Sequence, residues 1–194
     1  MSTTTIRIPD ELKARLSRIA EQQGTSTHGL IIEAIVEKAD ALERRQAFHE
    51  EARERHEHYL ATGESIPWEE MRDYLRRRVR GEDVLPPVAR RYGKKYMTQV
   101  VIAARVDRDL ERILVHLMAN DVLGPQQRIE DIIAALDVLA TNPWIGRPTE
   151  QGRRELVIGR DHHGYLALYA YDPRMDEVVI LALRSQKESG YHPS

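Results

Sequence analysis

The stretch Thr5-Ile6-Arg7-Ile8-Pro9-Asp10-Glu11-Leu12 decides how the first part of this chain folds. Up to Ile8, apolar residues alternate with polar ones, which is the two-residue period of a strand with one buried face. Pro9 and Asp10 then supply signals that open a helix. The stretch therefore predicts a short strand that leads directly into a helix.

Two helices are expected after this strand. Leu12, Leu16 and Ile19 share one face of the first helix, which should stop at Gly24. Ser26 is a suitable N-cap for a second amphipathic helix. A single strand cannot satisfy its own hydrogen bonds, and two short helices bury too little apolar surface for a stable monomer. We therefore predict a homodimer that forms through paired N-terminal strands.

A two-stranded ribbon of this kind would expose polar side chains that could contact DNA. Its outer face would carry Thr3, Thr5 and Arg7 from both copies, and such a ribbon fits the major groove. The second helix begins near Ser26 and Thr27, where free backbone N–H groups suit a phosphate. These five residues are the predicted DNA contacts, although a merely solvated strand face would show the same alternation.

The same residues carry a family resemblance. Together with Gly24-Thr25-Ser26 and Leu30-Ile31-Ile32-Glu33-Ala34-Ile35, the opening stretch resembles the ribbon-helix-helix fold of CopG/ParD-type antitoxins and repressors. The resemblance covers residues 2–45. It implies that residues 1–45 form a dimerisation module that binds operator DNA.

Residues 46–81 are rich in charge and carry only a sparse apolar stripe, which predicts a helical arm in need of a partner. The stripe residues are Phe48, Tyr59, Trp68, Met71 and Leu75. The phrases Tyr59-Leu60-Ala61-Thr62-Gly63 and Ile66-Pro67-Trp68-Glu69-Glu70 resemble the arm with which these antitoxins grip a toxin. The stripe could equally pack back on its own dimer, because both uses need the same pattern.

Residues 82–97 are predicted to be a linker. Pro86-Pro87 disfavours a helix, and a basic run that contains Gly93 follows. Met97 then looks like the start of an independent chain, which favours a fusion of two formerly separate proteins.

Residues 98–194 are predicted to form a second domain. A strand with Val100, Ile102 and Ala104 on one face precedes two amphipathic helices, which are separated by Gly124-Pro125. Three strands joined by short turns follow, in residues 154–158, 165–171 and 178–183, and indicate an antiparallel meander. The expected fold is α+β, with a helix hairpin on a small antiparallel sheet.

Four phrases of this second domain carry another resemblance, to RelE/ParE-type toxins, across residues 98–191. They are Asn142-Pro143-Trp144-Ile145-Gly146-Arg147-Pro148, Arg154-Glu155-Leu156, Tyr165-Leu166-Ala167-Leu168-Tyr169 and Leu183-Arg184-Ser185-Gln186-Lys187-Glu188. Two functions occur among such toxins. RelE-like members cut messenger RNA on the ribosome, whereas ParE-like members poison DNA gyrase without being hydrolases.

RNA cleavage would need groups that move protons and cations that stabilise the phosphate. Arg154, Arg184 and Tyr191 lie where the family's basic and aromatic positions fall, and His162 and His163 are further candidates in a turn. Lys187 is the only lysine after Met97, so the lysine-rich surface typical of RelE is missing. That difference weakens the nuclease interpretation.

The composition bounds these hypotheses. The 194 residues include no cysteine, which excludes disulfides and thiol catalysis, and no apolar run approaches the roughly 20 residues of a membrane span. No signal peptide, cofactor motif or metal motif is recognisable, so we expect a cytoplasmic protein without cofactor or metal. The net charge of -2 means that any nucleic-acid contact depends on a local basic surface.

The sequence thus predicts an antitoxin and a toxin of the type II class joined in one chain. The arm would neutralise the toxin, and the N-terminal dimer would repress its own operator. The toxin's target stays open between gyrase and ribosome-bound messenger RNA. A further alternative is a transcriptional repressor whose toxin-like domain is not toxic.

Overall fold

The computed structural model of the chain describes residues 5–91, 98–119, 124–159 and 164–186. The chain divides into two compact units, Met1–Glu43 and Arg44–Ser194. The division falls inside a helix, and the predicted linker 82–97 belongs to the second unit. Each unit is described by itself below.

The first unit contains helix α1, Asp10–Gln22, and the first part of helix α2, Thr27–Thr62. Between the helices, Gly24 takes a φ of 67°, which suits glycine at a helix end. The Ser26 hydroxyl accepts a hydrogen bond from the Gly29 backbone N–H at 3.0 Å, as expected of an N-cap. Residues 5–9 form no strand in this single chain, so the ribbon stays a prediction whose strand partner is a second copy.

The second unit contains the rest of α2 and all the strands of the described residues. In chain order its elements are β1 (Glu64–Pro67), α3 (Trp68–Val79), β2 (Arg90–Arg91), β3 (Gln99–Ala103), α4 (Val106–Ala119), α5 (Pro125–Asp137), β4 (Arg147–Pro148), β5 (Arg153–Ile158), β6 (Tyr165–Asp172) and β7 (Glu177–Ser185). Single 3-10 turns follow α5 at Val138–Ala140 and precede β5 at Glu150–Gly152.

The strands form one sheet in the order β2-β1-β3-β7-β6-β5-β4. All its neighbours are antiparallel except β3 and β7, which run parallel. The predicted α+β class and the meander β5-β6-β7 are confirmed. The predicted small antiparallel sheet is corrected to a seven-stranded one, because β1 of the arm, β2 from residues 82–97 and the short β4 join it. It also contains one parallel pair, β3 with β7.

One hydrophobic core runs through the second unit. It includes Phe48 and Ala52 of α2, Met71 and Leu75 of α3, and the buried side chains of α4, α5 and the sheet. Val100–Ala103 are all buried, rather than alternating as predicted, as occurs where both faces of a strand are covered. None of the helices in the described residues combines the length and hydropathy needed to cross a bilayer.

Candidate functional site

The predicted arm extends the sheet of the C-terminal elements. β1 pairs with β3 in an antiparallel register that places Ile66 opposite Ile102, and β2 pairs with the other side of β1. Ile66 is only 1% exposed. Backbone hydrogen bonds and an apolar side chain thus anchor the arm at one edge of the sheet, which is a known mode of peptide recognition.

Helix α3 packs its predicted apolar stripe into the core. Trp68, Met71 and Leu75 are all buried. The Trp68 indole N–H donates to the Asp137 carboxylate at 2.6 Å, so the buried ring also has its polar atom satisfied. Beside this stripe, the Arg76 guanidinium donates two hydrogen bonds, both at 2.9 Å, to the Glu130 carboxylate of α5. The three stripe residues of α3 are therefore part of the hydrophobic core of the second unit.

Two tyrosines fix the arm to the C-terminal elements through carboxylates. Tyr59 of α2 donates its hydroxyl to Glu177 of β7, and Tyr74 of α3 donates to Glu111 of α4 at 2.5 Å. Burial raises the pKa of both hydroxyls, and the hydrogen bonds to the carboxylates raise both pKa values further. The pKa of Tyr74 is raised to about 12.

A buried ion pair ties α2 to α4. The Arg55 guanidinium, 8% exposed, lies 2.5 Å from the carboxylate of Asp109, which is 1% exposed. Arg55 also donates to the backbone carbonyl of Leu181 at 3.1 Å, and Asp109 accepts from the Leu183 backbone N–H at 3.2 Å. Each buried charge thus has both a counter-ion and a backbone partner, which is what burial of charge requires.

The arm also covers Arg184, one of the predicted catalytic residues. Its guanidinium forms an ion pair with Glu51 and lies 5.5 Å from the centre of the Phe48 ring. The Arg184 Nε is buried without a hydrogen-bond partner among the described residues. Arg184 therefore lies beneath α2.

Arg154 has a different environment. It donates to the backbone carbonyls of Gly146 and Trp144, both at 2.8 Å, and its guanidinium lies 5.2 Å from the centre of the Trp144 ring. These contacts fix the loop that precedes β4. Arg154 thus contacts backbone carbonyl oxygens of that loop rather than a carboxylate.

The structure does not bring Arg154 and Arg184 together. In the register of the sheet, Arg184 of β7 lies opposite Leu166 of β6. Arg154 of β5 lies opposite Tyr169, three residues further along β6. Since side chains alternate between the faces of a strand, and the pairing of β5 with β6 has no bulge, the two arginines lie on opposite faces of the sheet. The other predicted catalytic residues, His162, His163 and Tyr191, lie outside the described residues.

Among the predicted DNA contacts, Thr5 and Arg7 are exposed and Thr3 lies outside the described residues. The hydroxyls of Ser26 and Thr27 are used locally: Ser26 caps α2, and Thr27 donates to Ser17 at 3.2 Å. Their backbone N–H groups at the start of α2 are the feature that suits a phosphate.

The first unit also exposes an apolar groove. Ile8, Leu16, Ile31, Ala34, Ile35 and Leu42 line it, along with Lys38 and Ala39. Ile35 and Leu42 are 47% and 56% exposed, which is unusual for large apolar side chains that cluster. Such a surface is typical of an interface with another protein chain.

The ion pair of Arg55 and Asp109 was not predicted from the sequence. A signal was present, since Phe48, Ala52, Arg55 and Tyr59 follow one another at spacings of four, three and four, so that Arg55 falls within an apolar helix face. A charged residue in such a face predicts a buried counter-ion. Among the described residues, no group of His, Asp or Glu side chains could hold a metal ion.

Comparison with known families identifies part of the chain. Residues 100–190 match the family described as the ParE toxin of the type II toxin-antitoxin system, parDE. The C-terminal part thus contains a ParE toxin domain, which confirms the predicted toxin resemblance at the level of this family. The match does not extend to the N-terminal part, for which no family supports the antitoxin resemblance. A comparison with curated proteins gave no match.

Proposed function

We propose that this chain is a self-neutralised type II toxin-antitoxin protein, in which residues 1–81 act as antitoxin and repressor and residues 98–194 act as a gyrase poison. The ParE toxin family implies in general an antitoxin partner and gyrase as target. The observation that carries the proposal is the common core, in which Phe48, Met71 and Leu75 of the arm pack with the toxin domain.

The arm would neutralise the toxin domain by occupying its surface. It covers Arg184 on one sheet face, completes the sheet edge at β3 and buries charges on α4. Because arm and toxin belong to one chain, their effective concentration is on the order of millimolar, far above that of two separate proteins. The covered domain would therefore be inert in the intact chain.

The N-terminal unit would provide repression. The apolar groove of the first unit supports dimerisation, and exposed Thr5 and Arg7 support contact with base edges. Dimerisation would bring two copies of residues 3–8 together as a ribbon. Arg7→Ala should then abolish binding to the DNA upstream of the chain's own gene while the dimer persists.

A supercoiling assay tests the proposed target. Residues 98–194, added to gyrase and relaxed plasmid, should block supercoiling, whereas the intact chain should not. Addition of residues 1–91 to the fragment should restore supercoiling, with 1–91 carrying Trp68→Ala and Leu75→Ala as the matched control that restores it poorly.

Other outcomes of this assay would favour the alternatives. A fragment that is folded, binds residues 1–91 and leaves gyrase active contradicts the gyrase proposal. Codon-linked cuts in messenger RNA by that fragment would then indicate the ribosome-dependent nuclease. The positions of Arg154 and Arg184 on opposite sheet faces offer no support for a joint catalytic site. A fragment without either effect would leave a repressor with a non-toxic domain.

A further inference from the structure

A cavity of about 340 Å³ lies between α2 and the start of α4. Its α4 side includes Arg105, Arg108 and Arg112, and its α2 side includes Glu54 and Arg55. Its volume falls at the lower end of the roughly 300–1,000 Å³ of small-molecule sites. The cavity is therefore large enough for a compact ligand.

The three arginines of the α4 side line the same cavity, and all three are exposed. Arg108 and Arg112 are four residues apart, which places them on one face of α4, and Arg105 lies in the turn just before that helix. Arg112 makes only a 3.4 Å contact with Asp109. The side chains of Arg105 and Arg108 have no hydrogen bond or ion pair with any residue in the described ranges. Two exposed guanidinium groups thus lack a counter-ion among the residues that the structure describes.

Most carboxylates of this cavity are already engaged. Glu51 pairs with both Arg55 and Arg184, and Asp109 pairs with Arg55 and accepts the Leu183 N–H. Glu54 is the remaining carboxylate that lines the cavity, and no described residue pairs with it. The uncompensated charge in the cavity is therefore positive.

The backbone at Arg105 is strained. This residue has a φ of 78°, in the left-handed region that residues other than glycine, asparagine and aspartate rarely adopt. It lies in the turn between β3 and α4, from which its side chain lines the cavity. An arginine in a backbone conformation that suits glycine indicates that its side chain has a function.

We propose that this cavity binds a small phosphate-bearing ligand, up to about the size of a nucleoside monophosphate, through Arg105, Arg108 and Arg112. Guanidinium groups match the geometry of phosphate oxygens and bind them through paired, charge-assisted hydrogen bonds. A phosphate would supply the negative charge that the cavity lacks. Phosphate binding itself does not depend on toxin or antitoxin activity, whereas any regulatory consequence rests on the proposed function.

The position of the cavity gives the ligand a regulatory consequence. Its walls come from the arm, through α2, and from the toxin domain, through α4. A ligand that needs both walls binds only when the arm is in place, so by linkage it stabilises the covered state. The concentration of that phosphate compound would set how firmly the arm is held.

Calorimetric titration of the intact chain tests the proposal, with inorganic phosphate and adenosine monophosphate as probes and sodium chloride keeping the ionic strength constant. Both should bind the unmodified chain and raise its Tm, whereas adenosine should not. Arg105→Gly and Arg108→Gln should each weaken binding by about tenfold or more. Arg105→Gly should also raise the Tm of the free chain, because glycine relieves the strained φ.

Arg53→Gln is the matched control. Arg53 lies on α2 near the cavity but pairs with Glu50 and Glu57 at the exposed surface, so its loss should leave phosphate affinity unchanged. The proposal is wrong if neither phosphate compound binds, if adenosine binds as tightly as its monophosphate, or if the three variants lose affinity equally. A lower Tm in Arg105→Gly, with unchanged binding, would show that Arg105 is merely structural.

Discussion

Arg55 and Asp109 show how strongly single side chains hold the arm on the toxin domain. Asp109→Ala should lower the free energy of unfolding by about 3 kcal/mol, because the buried Arg55 guanidinium loses its buried counter-ion and keeps only the partly exposed Glu51. The Leu183 N–H would lose its acceptor at the same time. Urea unfolding followed by far-UV circular dichroism measures this loss.

Two further variants distinguish the stability cost of an unpaired buried charge from the cost of a lost contact. Joint replacement, Arg55→Met with Asp109→Leu, should be much less harmful than Asp109→Ala, because no unpaired charge stays in the core. Glu57→Gln is the surface control, since its partner Arg53 stays hydrated and keeps Glu50. An Asp109→Ala variant as stable as Glu57→Gln would contradict the role given to this ion pair.

Tyr74 makes the stability of the second unit sensitive to alkali. Its folded-state pKa is raised to about 12 from the ordinary value of about 10, so the neutral hydroxyl favours folding. That contribution is complete below about pH 10 and is lost as the pH rises through about 12. The urea midpoint should therefore fall over this range, and less steeply in Tyr74→Phe. Equal slopes in both proteins would be inconsistent with this explanation.

Among individual residues, the sequence predicts the arm's apolar contacts but not its polar ones. Trp68, Met71 and Leu75 could be predicted because helical spacing marks a face that must be covered. The partners of Arg55 and Arg184 are separated from them by 54 and 133 residues, and no local pattern indicates such pairings. The opposite orientations of Arg154 and Arg184 also depend on strand register.

Among the elements, β1 and α3 should hold the toxin domain even without a covalent link. A protease site inserted after Leu85, which is 92% exposed, would separate residues 1–85 from 86–194. The two pieces should still co-elute in gel filtration, because the contacts of β1 and α3 do not require the connection.

The same cleaved chain with Trp68→Ala provides the comparison. Loss of a buried tryptophan costs about 3–5 kcal/mol, so these pieces should separate at low concentration. Separation of the cleaved chain that retains Trp68 would mean that the covalent link, rather than the interface, keeps the arm in place.

The missed strands have a physical explanation. β1 has four residues and ends in a proline, and β2 has two arginines, so neither shows the alternation that predicts a strand. Both exist because they pair with other strands: β1 lies between β2 and β3, and β2 pairs with β1 as the edge strand. The helices and the strands β5, β6 and β7 were predictable because each carries its own periodic apolar pattern.

For the intact protein, the apolar groove of the first unit predicts self-association. Ile35→Glu should weaken dimerisation by about a hundredfold or more, because a charge would be buried at the interface. Ile35 is 47% exposed in the single chain, so the variant should still fold. Analytical ultracentrifugation would report a monomer.

Val115→Glu is the matched control for this experiment. Val115 lies on α4 and is 53% exposed, so it resembles Ile35 in size and exposure but lies outside the groove. This variant should remain a dimer. If both variants sediment as the unmodified chain does, the groove is not the dimer interface.

Growth of bacteria that produce residues 98–194 alone tests whether the arm neutralises the toxin domain. The fragment should arrest growth, and co-production of residues 1–91 should restore it, whereas the intact chain should be harmless. The fragment must be recovered folded and able to bind residues 1–91. Unimpaired growth with such a fragment would contradict the claim.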